Sequence, residues 1–189
     1  MAEVILKTYE AEIDQMIDEA RYLEALAHIR HILRRYPRYM GAYYLLGRTM
    51  FEADMLEYAK DMFNRVLSAD PENLQARLGL GEVYIRQNNL NAAIWNLERA
   101  FELDPGNESL SEELRNLYFR RDGKDPGHVP LSRAGLARLY IQGNLPGRAA
   151  EELQKLLEKE PERADLYLAL AEAYWRDGQI VQSANTCQQ

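Results

Sequence analysis

Apolar and polar residues alternate along this chain in a pattern that repeats every 34 residues. The pattern is clearest in segments 38–71 and 72–105, which align with each other without a gap. Within each segment, apolar residues recur three and four positions apart in two blocks, which is the spacing of amphipathic helices. A short polar turn separates the two blocks. Each segment is therefore predicted to form a hairpin of two helices.

Small residues and helix-ending residues occupy matching places in the two segments. Gly47 and Gly81 share one position of the first helices, and Ala59 and Ala93 share one position of the second helices. These positions are where two packed helices must approach each other closely. Each segment closes with an Asp-Pro pair, and proline disfavours helical geometry in the residue before it. The second helix of each hairpin should therefore end there.

This arrangement resembles the tetratricopeptide repeat, whose Leu-Gly, Tyr, Ala and Pro positions are matched by Leu80, Gly81, Tyr84, Ala93 and Pro105. The resemblance implies an all-α fold, a right-handed α-solenoid of antiparallel helix hairpins, with one irregular inserted helix and loop. A single solenoid is predicted over residues 1–189. Its repeats are 6–39, 40–73, 74–107, 130–163 and an incomplete 164–189, and the inserted helix and loop occupy 108–129.

The insert begins with the pattern of a first helix but lacks a second one. Ser109 and Glu112 predict a capping box at its start, because a hydroxyl and a carboxylate three residues apart can satisfy each other's backbone N–H groups. Residues 122–130 contain two Gly and two Pro, which indicates a loop. The inserted helix can lie parallel or antiparallel to its neighbours, or fill the groove of the solenoid; the sequence leaves these alternatives open.

Composition narrows the classes of partner. The formal net charge is −7 and the isoelectric point is near 5.1, which argues against nucleic acid as a ligand because binding to phosphates depends on Lys and Arg. No apolar run approaches the length of a membrane span, and the N-terminal residues lack the features of a secretory signal. We therefore expect a cytoplasmic protein without membrane contact. The repeat that breaks off near Gln189 suggests a fragment of a longer array.

Candidate chemistry is sparse. The segment Gly79-Leu80-Gly81 lies inside a predicted helix and lacks the Lys-Ser or Lys-Thr of a phosphate-binding loop. His28 and His31 lie three residues apart, but a metal site requires more ligands than this pair supplies, so packing or solvated histidines are expected. The paired carboxylates lie on predicted solvated faces. We expect no catalytic activity, no cofactor and no metal.

The face of each first helix that points away from its own hairpin core is the candidate binding surface. At 100° per residue, this face is predicted to be solvated and to carry an apolar, partly aromatic stripe flanked by charges of alternating sign. The resemblance implies that this face is the inner, concave surface, where peptides commonly bind. The alternative is that part of the stripe packs against the neighbouring repeat. The candidate residues are Tyr44, Arg48, Phe51, Leu78, Glu82, Ile85, Arg138, Ile141, Leu168, Glu172 and Trp175.

Two functions are compatible with this surface. The first is a non-catalytic scaffold that binds a peptide or helix of a partner protein in its concave groove. The second is a structural or regulatory arm of a larger multidomain protein, or a self-association module that uses the C-terminal end of the array. The sequence does not identify the partner.

Overall fold

A computed structural model describes residues 6–188 of the chain, and within them it contains eleven α-helices and no β-strand. The all-α fold class predicted from the sequence is confirmed. The sequence pattern predicts a first helix over residues 3–20, and residues 3–5 of this segment lie outside the described part. The helices are α1 (Leu6–Asp18), α2 (Tyr22–Arg35), α3 (Met40–Glu52), α4 (Leu56–Ala69), α5 (Leu74–Arg86), α6 (Leu90–Leu103), α7 (Glu108–Asp122), α8 (Arg133–Gln142), α9 (Pro146–Leu157), α10 (Ala164–Arg176) and α11 (Ile180–Thr186).

Each hairpin turns through one residue in the left-handed backbone region. Ala20, Asp54 and Asn88 have φ angles of 57°, 58° and 56°, and they lie 34 residues apart. Asn144 and Gly178 repeat this conformation at the same interval, with φ of 57° and 79°. Asn, Asp and Gly tolerate this region better than other residues, which explains four of the five identities. The repeat is thus a property of the backbone as well as of the side chains.

The links between hairpins repeat as well. Asn73 and Asn107 precede α5 and α7, and each side-chain oxygen accepts a hydrogen bond of 3.0 Å from a backbone N–H in the first turn of its helix. Such capping satisfies one of the N–H groups that a helix start leaves unpaired. The cap of α7 is therefore Asn107, and the predicted capping box of Ser109 and Glu112 is wrong because α7 already begins at Glu108.

The chain divides into two compact units at the Asn96–Leu97 bond, within α6. In unit 1, the residues up to Asn96, one buried cluster joins α1, α2 and α3 and another joins α3, α4 and α5. Phe63 of α4 fills the space between Gly47 of α3 and Gly79 of α5. A Cβ atom on either glycine would lie 2.7 Å or less from the Phe63 ring. The predicted close approach at Gly47 is confirmed, and Gly79 provides its counterpart on α5.

In unit 2, the residues from Leu97 onwards, the largest cluster joins α8, α9 and α10. Pro146 begins α9, since proline fits the first turn of a helix. The short helix α11 packs on α10, where the hydroxyl of Ser183 donates a 2.8 Å hydrogen bond to the carbonyl oxygen of Ala171. These contacts build the second unit around α10.

The insert contains α7 and a loop that leads to α8. The side chains of Leu110, Leu114 and Leu117 are buried, and the hydroxyl of Tyr118 donates a 2.7 Å hydrogen bond to Glu98 of α6. The helix ends at Gly123, which has a positive φ of 71°. The inserted helix is therefore an integral part of the core of unit 2.

A cluster of buried charges connects α6 to the segments at which α8 and α10 begin. The carboxylate of Glu102 accepts hydrogen bonds from Ser132 and Arg163 at 2.7 Å each, and from Arg99 at 3.2 Å. Arg163 also donates to Asp165 at 2.5 Å. Although burial disfavours the charge of Arg163, the hydrogen bond to Asp165 and the charge of Glu102 raise its pKa, so the guanidinium remains a cation.

Candidate partner-binding surfaces

The candidate residue Phe51 of unit 1 is buried, with 7% of its surface exposed. The guanidinium of Arg86 in α5 lies 3.7 Å from the centroid of its ring and donates a 2.8 Å hydrogen bond to its carbonyl oxygen. The prediction that Phe51 is solvated is therefore wrong. The next first helix covers the aromatic ring, which belongs to the core between α3 and α5.

The other candidates of unit 1 form a partly occupied surface. Arg48 donates hydrogen bonds to Asp14 at 2.6 Å and to Asp18 at 2.5 Å, so α1 engages its charge. Burial raises the pKa of the Tyr44 hydroxyl, which lies 3.4 Å from the side-chain oxygen of Gln75. The remaining candidates are half-buried or exposed, and they are Leu78, Glu82 and Ile85.

Two candidates of unit 2 are also buried. Ile141 lies in the cluster between α8 and α10, and a guanidinium nitrogen of Arg138 lies 3.8 Å from the carboxylate of Asp165. The prediction of a solvated position is wrong for both residues. Packing of α10 against α8 covers this part of α8, in the same way that α5 covers Phe51.

The candidates on α10 have the predicted exposure. Leu168 and Trp175 are 41% and 63% exposed, and they lie seven residues apart on the same side of the helix. Between them, the carboxylate of Glu172 pairs with Arg176 at 2.7 Å. The structure therefore leaves an open apolar surface with an internally paired charge on this helix.

The sequence analysis missed a cleft in unit 1. It has a volume of about 440 Å³ and lies between α4, α5 and α6. The signal that could have revealed it is the contrast between Ala92 and Tyr58, which occupy the same position of successive repeats. The cleft is lined by Asn64, Leu67, Ser68, Arg77, Leu80, Tyr84, Ala92, Trp95 and Asn96.

Residues 6–188 contain no group of three or more potential metal-ligating side chains, and none of the helices in that range is long and apolar enough to cross a bilayer. His28 has a packing role, because its Nδ1 lies 2.6 Å from the hydroxyl of Tyr9 and the two rings form an edge-to-face pair.

Models of a known protein family match two segments of this arrangement of hairpins. Two models of the tetratricopeptide repeat match residues 52–95 and 135–188. This chain belongs to the tetratricopeptide repeat family. The resemblance inferred from the sequence is thus confirmed, and the matched segments lie on either side of the inserted helix.

Several curated proteins are similar to this chain. Anaphase-promoting complex subunit 3 of Schizosaccharomyces pombe is 23% identical over 168 residues, which cover 82% of this chain and 25% of that protein. Protein CTR9 homolog of Arabidopsis thaliana is 27% identical over 106 residues, which cover 54% of this chain and 10% of that protein. This tetratricopeptide repeat chain therefore spans a quarter or less of the length of these relatives.

A solved structure of another protein supports the fold. A chain in the structure of Naa15/Naa10 bound to HypK-THB matches with a TM-score of 0.56 and 17% identity, over 95% of this chain and 24% of that one. The MamA protein matches with a TM-score of 0.46 and 17% identity, over 96% of this chain and 87% of that one. At these identities the likeness concerns the fold alone.

Proposed function

We propose that this tetratricopeptide repeat protein is a non-catalytic scaffold that binds an apolar peptide or helix of a partner protein on the open face of α10. The observation that carries this proposal is Trp175, which is 63% exposed on the helix face where the family resemblance implies ligand binding. Large exposed aromatic side chains commonly mark interaction sites, and tryptophan is enriched among residues that dominate binding energy.

The surroundings of Trp175 favour an apolar ligand over a charged one. Leu168 lies two turns away on the same helix face and extends the apolar surface. Glu172 and Arg176 neutralise each other, and exposed pairs of this kind contribute under about 1 kcal/mol. Burial of one large side chain against a ligand contributes about 2 kcal/mol. The aromatic and aliphatic contacts should therefore dominate the affinity.

Unit 1 has candidate residues of its own. Tyr44, Leu78, Glu82 and Ile85 keep some exposure on the face of α3 and α5 that corresponds by repeat position to the open face of α10. Phe51, Arg138 and Ile141 are buried, so they are not expected to contact a ligand. The ligand-contacting set is thus narrower than the sequence indicated.

The relatives support a protein partner. One of them is named as a subunit of the anaphase-promoting complex, and this chain matches 25% of its length. The acidic composition supports a partner other than nucleic acid. A cytoplasmic location, and a role as an arm of a larger protein, remain predictions from the sequence.

The test is affinity enrichment from an extract of the source organism. Immobilised wild-type protein is compared with Trp175→Ala and with Tyr58→Ala, a control that removes an exposed aromatic ring from α4. Quantitative mass spectrometry measures which proteins each form recovers. Partner proteins that bind wild type and Tyr58→Ala but not Trp175→Ala support the proposal. Equal recovery by all three proteins contradicts it.

A second candidate function is self-association through α11. Ile180 and Val181 are 58% and 70% exposed, so two branched apolar side chains are exposed in the first turn of this helix. We expect sedimentation velocity at rising concentration to reveal a dimer that Val181→Lys abolishes. A monomer at all concentrations contradicts self-association and has no consequence for the proposal that a partner binds on α10.

A further inference from the structure

Three residues that line the cleft between α4, α5 and α6 differ from their counterparts in the preceding repeat. Ala92 occupies the position of Tyr58 in the preceding repeat, Asn96 that of Met62, and Arg77 that of Tyr43. A methyl group thus replaces a phenol ring, and an amide replaces a thioether. The cleft has a volume of about 440 Å³, which lies within the range of roughly 300–1,000 Å³ found for ligand sites.

Asn96 supplies a buried acceptor in the wall of this cleft. The residue is 3% exposed, and its Nδ2 donates a 2.9 Å hydrogen bond to the carbonyl oxygen of Ala92. That bond fixes the orientation of the amide, because the opposite orientation would set two oxygens against each other. The Oδ1 atom is left without a hydrogen-bond partner in the described part of the chain.

An unsatisfied buried acceptor costs free energy, so its presence calls for an explanation. Asn96 lines the cleft, and the last side-chain torsion of asparagine is soft, so a rotation about this torsion is the movement by which Oδ1 would reach a bound molecule. An N–H donor of a bound molecule can then complete its hydrogen bonding. Met62, at the same position of the preceding repeat, offers no such acceptor amide.

Trp95 and Arg77 also line the cleft. The guanidinium of Arg77 lies 5.4 Å from the centroid of the Trp95 ring. Stacking engages the face of a guanidinium, and its in-plane N–H groups are the ones that pair with carboxylates. Arg77 is the one charged residue among the described residues that line the cleft. Arg77 thus brings a positively charged group to the lining of the cleft.

We propose that this cleft is a second binding site, for an extended acidic-apolar peptide segment. An apolar side chain of the peptide packs on Leu80 and on the Trp95 ring, and a carboxylate pairs with Arg77. A backbone N–H of the peptide donates to Asn96 Oδ1. An extended peptide fits because it combines a regularly spaced N–H donor with an alternation of side chains. The site is independent of the α10 surface.

The probe is a library of random linear peptides displayed on phage. Selection uses wild-type protein after depletion of binders on the Ala92→Tyr variant, which restores the side chain found at position 58. We expect the selected peptides to share an acidic and an apolar residue. A synthetic copy of one peptide should bind Ala92→Tyr and Asn96→Met at least about tenfold more weakly than wild type.

Two further measurements distinguish the cleft from other surfaces. In ¹⁵N-labelled protein, the peptide should shift the indole N–H resonance of Trp95 and leave that of Trp175 in place; these are the two tryptophans of the chain. Arg77→Gln should weaken binding and reduce its dependence on salt. Thermal unfolding followed by circular dichroism checks that each variant is folded.

The proposal is overturned if the depleted selection yields no peptide that binds wild type more tightly than Ala92→Tyr. It is also overturned if the peptide shifts the Trp175 resonance instead of the Trp95 resonance. A shift of the Trp95 resonance that arises from binding of a second copy of the protein, rather than of the peptide, overturns it as well. Failure of Trp175→Ala to affect partner enrichment would contradict the proposed function without affecting this site.

Discussion

Phe51 and Trp175 occupy the same position of the repeat, yet one is buried and the other is largely exposed. In unit 1, α5 follows α3, and Arg86 closes over the Phe51 ring at 3.7 Å. In unit 2, Trp175 of α10 stands at the corresponding place with 63% of its surface exposed. The comparison indicates that the neighbour of a first helix, rather than its own sequence pattern, decides whether this position is core or binding surface.

The largest expected effect is the difference in stability between alanine variants at these two positions. Phe51→Ala should lower the free energy of unfolding by about 3–5 kcal/mol, because it leaves a cavity in a buried cluster. Trp175→Ala should change it by less than about 0.5 kcal/mol, as is usual for exposed positions. Chemical denaturation followed by circular dichroism measures both. Equal losses at the two positions would mean that Trp175 is covered in solution.

Arg48 and Arg138 extend the comparison to charges, since they also share one repeat position. Arg48 pairs with Asp14 and Asp18 near the surface, whereas Arg138 lies with Asp165 at a site where both side chains are 10% exposed. Loss of Arg138 removes one cation and the packing of its side chain from a buried cluster in which Asp165 keeps Arg163 as a partner, whereas exposed pairs contribute little.

We therefore expect Arg138→Ala to cost about 2–3 kcal/mol of unfolding free energy. Arg48→Ala should cost under about 1 kcal/mol. Denaturation at low and high salt measures both effects, and the Arg48 effect should fall with added salt because exposed charges are screened. A larger loss for Arg48→Ala than for Arg138→Ala would contradict the assignment of core and surface.

The sequence contains enough information for the fold because the repeat is a local pattern. The 34-residue period, the turn residues around Asp54 and Asn88, and Pro146 at the start of α9 all follow from spacing and backbone preferences within one hairpin. The site depends on contacts between hairpins. The burial of Phe51 requires Arg86, which lies 35 residues further along the chain, and helical periodicity carries no information on such a contact.

The cleft could not be predicted from the helical pattern either. Ala92 and Asn96 fit this pattern as ordinary helix residues, and they line a cleft only because α4 and α5 pack beside them. A comparison of successive repeats position by position can find such differences, because a small residue where the preceding repeat has a large one leaves space. The charge cluster around Glu102 was also beyond sequence reasoning, since its partners lie 30 and 61 residues away.

A third prediction concerns the cover over Phe51. Arg86→Ala should lower the free energy of unfolding by about 1–2 kcal/mol, because it removes a cation–π contact and a hydrogen bond to the Phe51 carbonyl. Arg86→Lys should recover only part of this loss, since an ammonium group lacks the planar face of a guanidinium. The control is Arg65→Ala, which removes an exposed guanidinium stacked on Tyr43. An Arg65→Ala loss as large as the Arg86→Ala loss would contradict a specific covering role.

The smallest effect concerns Glu113, a carboxylate of α7 in unit 2. Burial raises its pKa above the ordinary value of 4.5, so the folded protein holds a proton on this group more tightly than the unfolded chain does. The stability that this difference contributes is present at low pH and is lost as the pH rises through the raised pKa. The charge of Glu113 is therefore expected to destabilise the fold at neutral pH, whereas the charge of Arg138 is expected to stabilise it. Removal of the Glu113 charge should stabilise the fold at neutral pH.

We expect Glu113→Gln to raise the free energy of unfolding at pH 7 by a few tenths of a kcal/mol, the usual scale for partly exposed positions. The gain should shrink at acidic pH, where the wild-type carboxyl is protonated in both states. Urea denaturation of wild type and variant at both pH values measures this change. Glu112→Gln, at the adjacent exposed carboxylate, controls for the altered net charge of the protein. If Glu113→Gln instead destabilised the fold at pH 7, the charge of Glu113 would be compensated by a cation, and the contrast with Arg138 would fail.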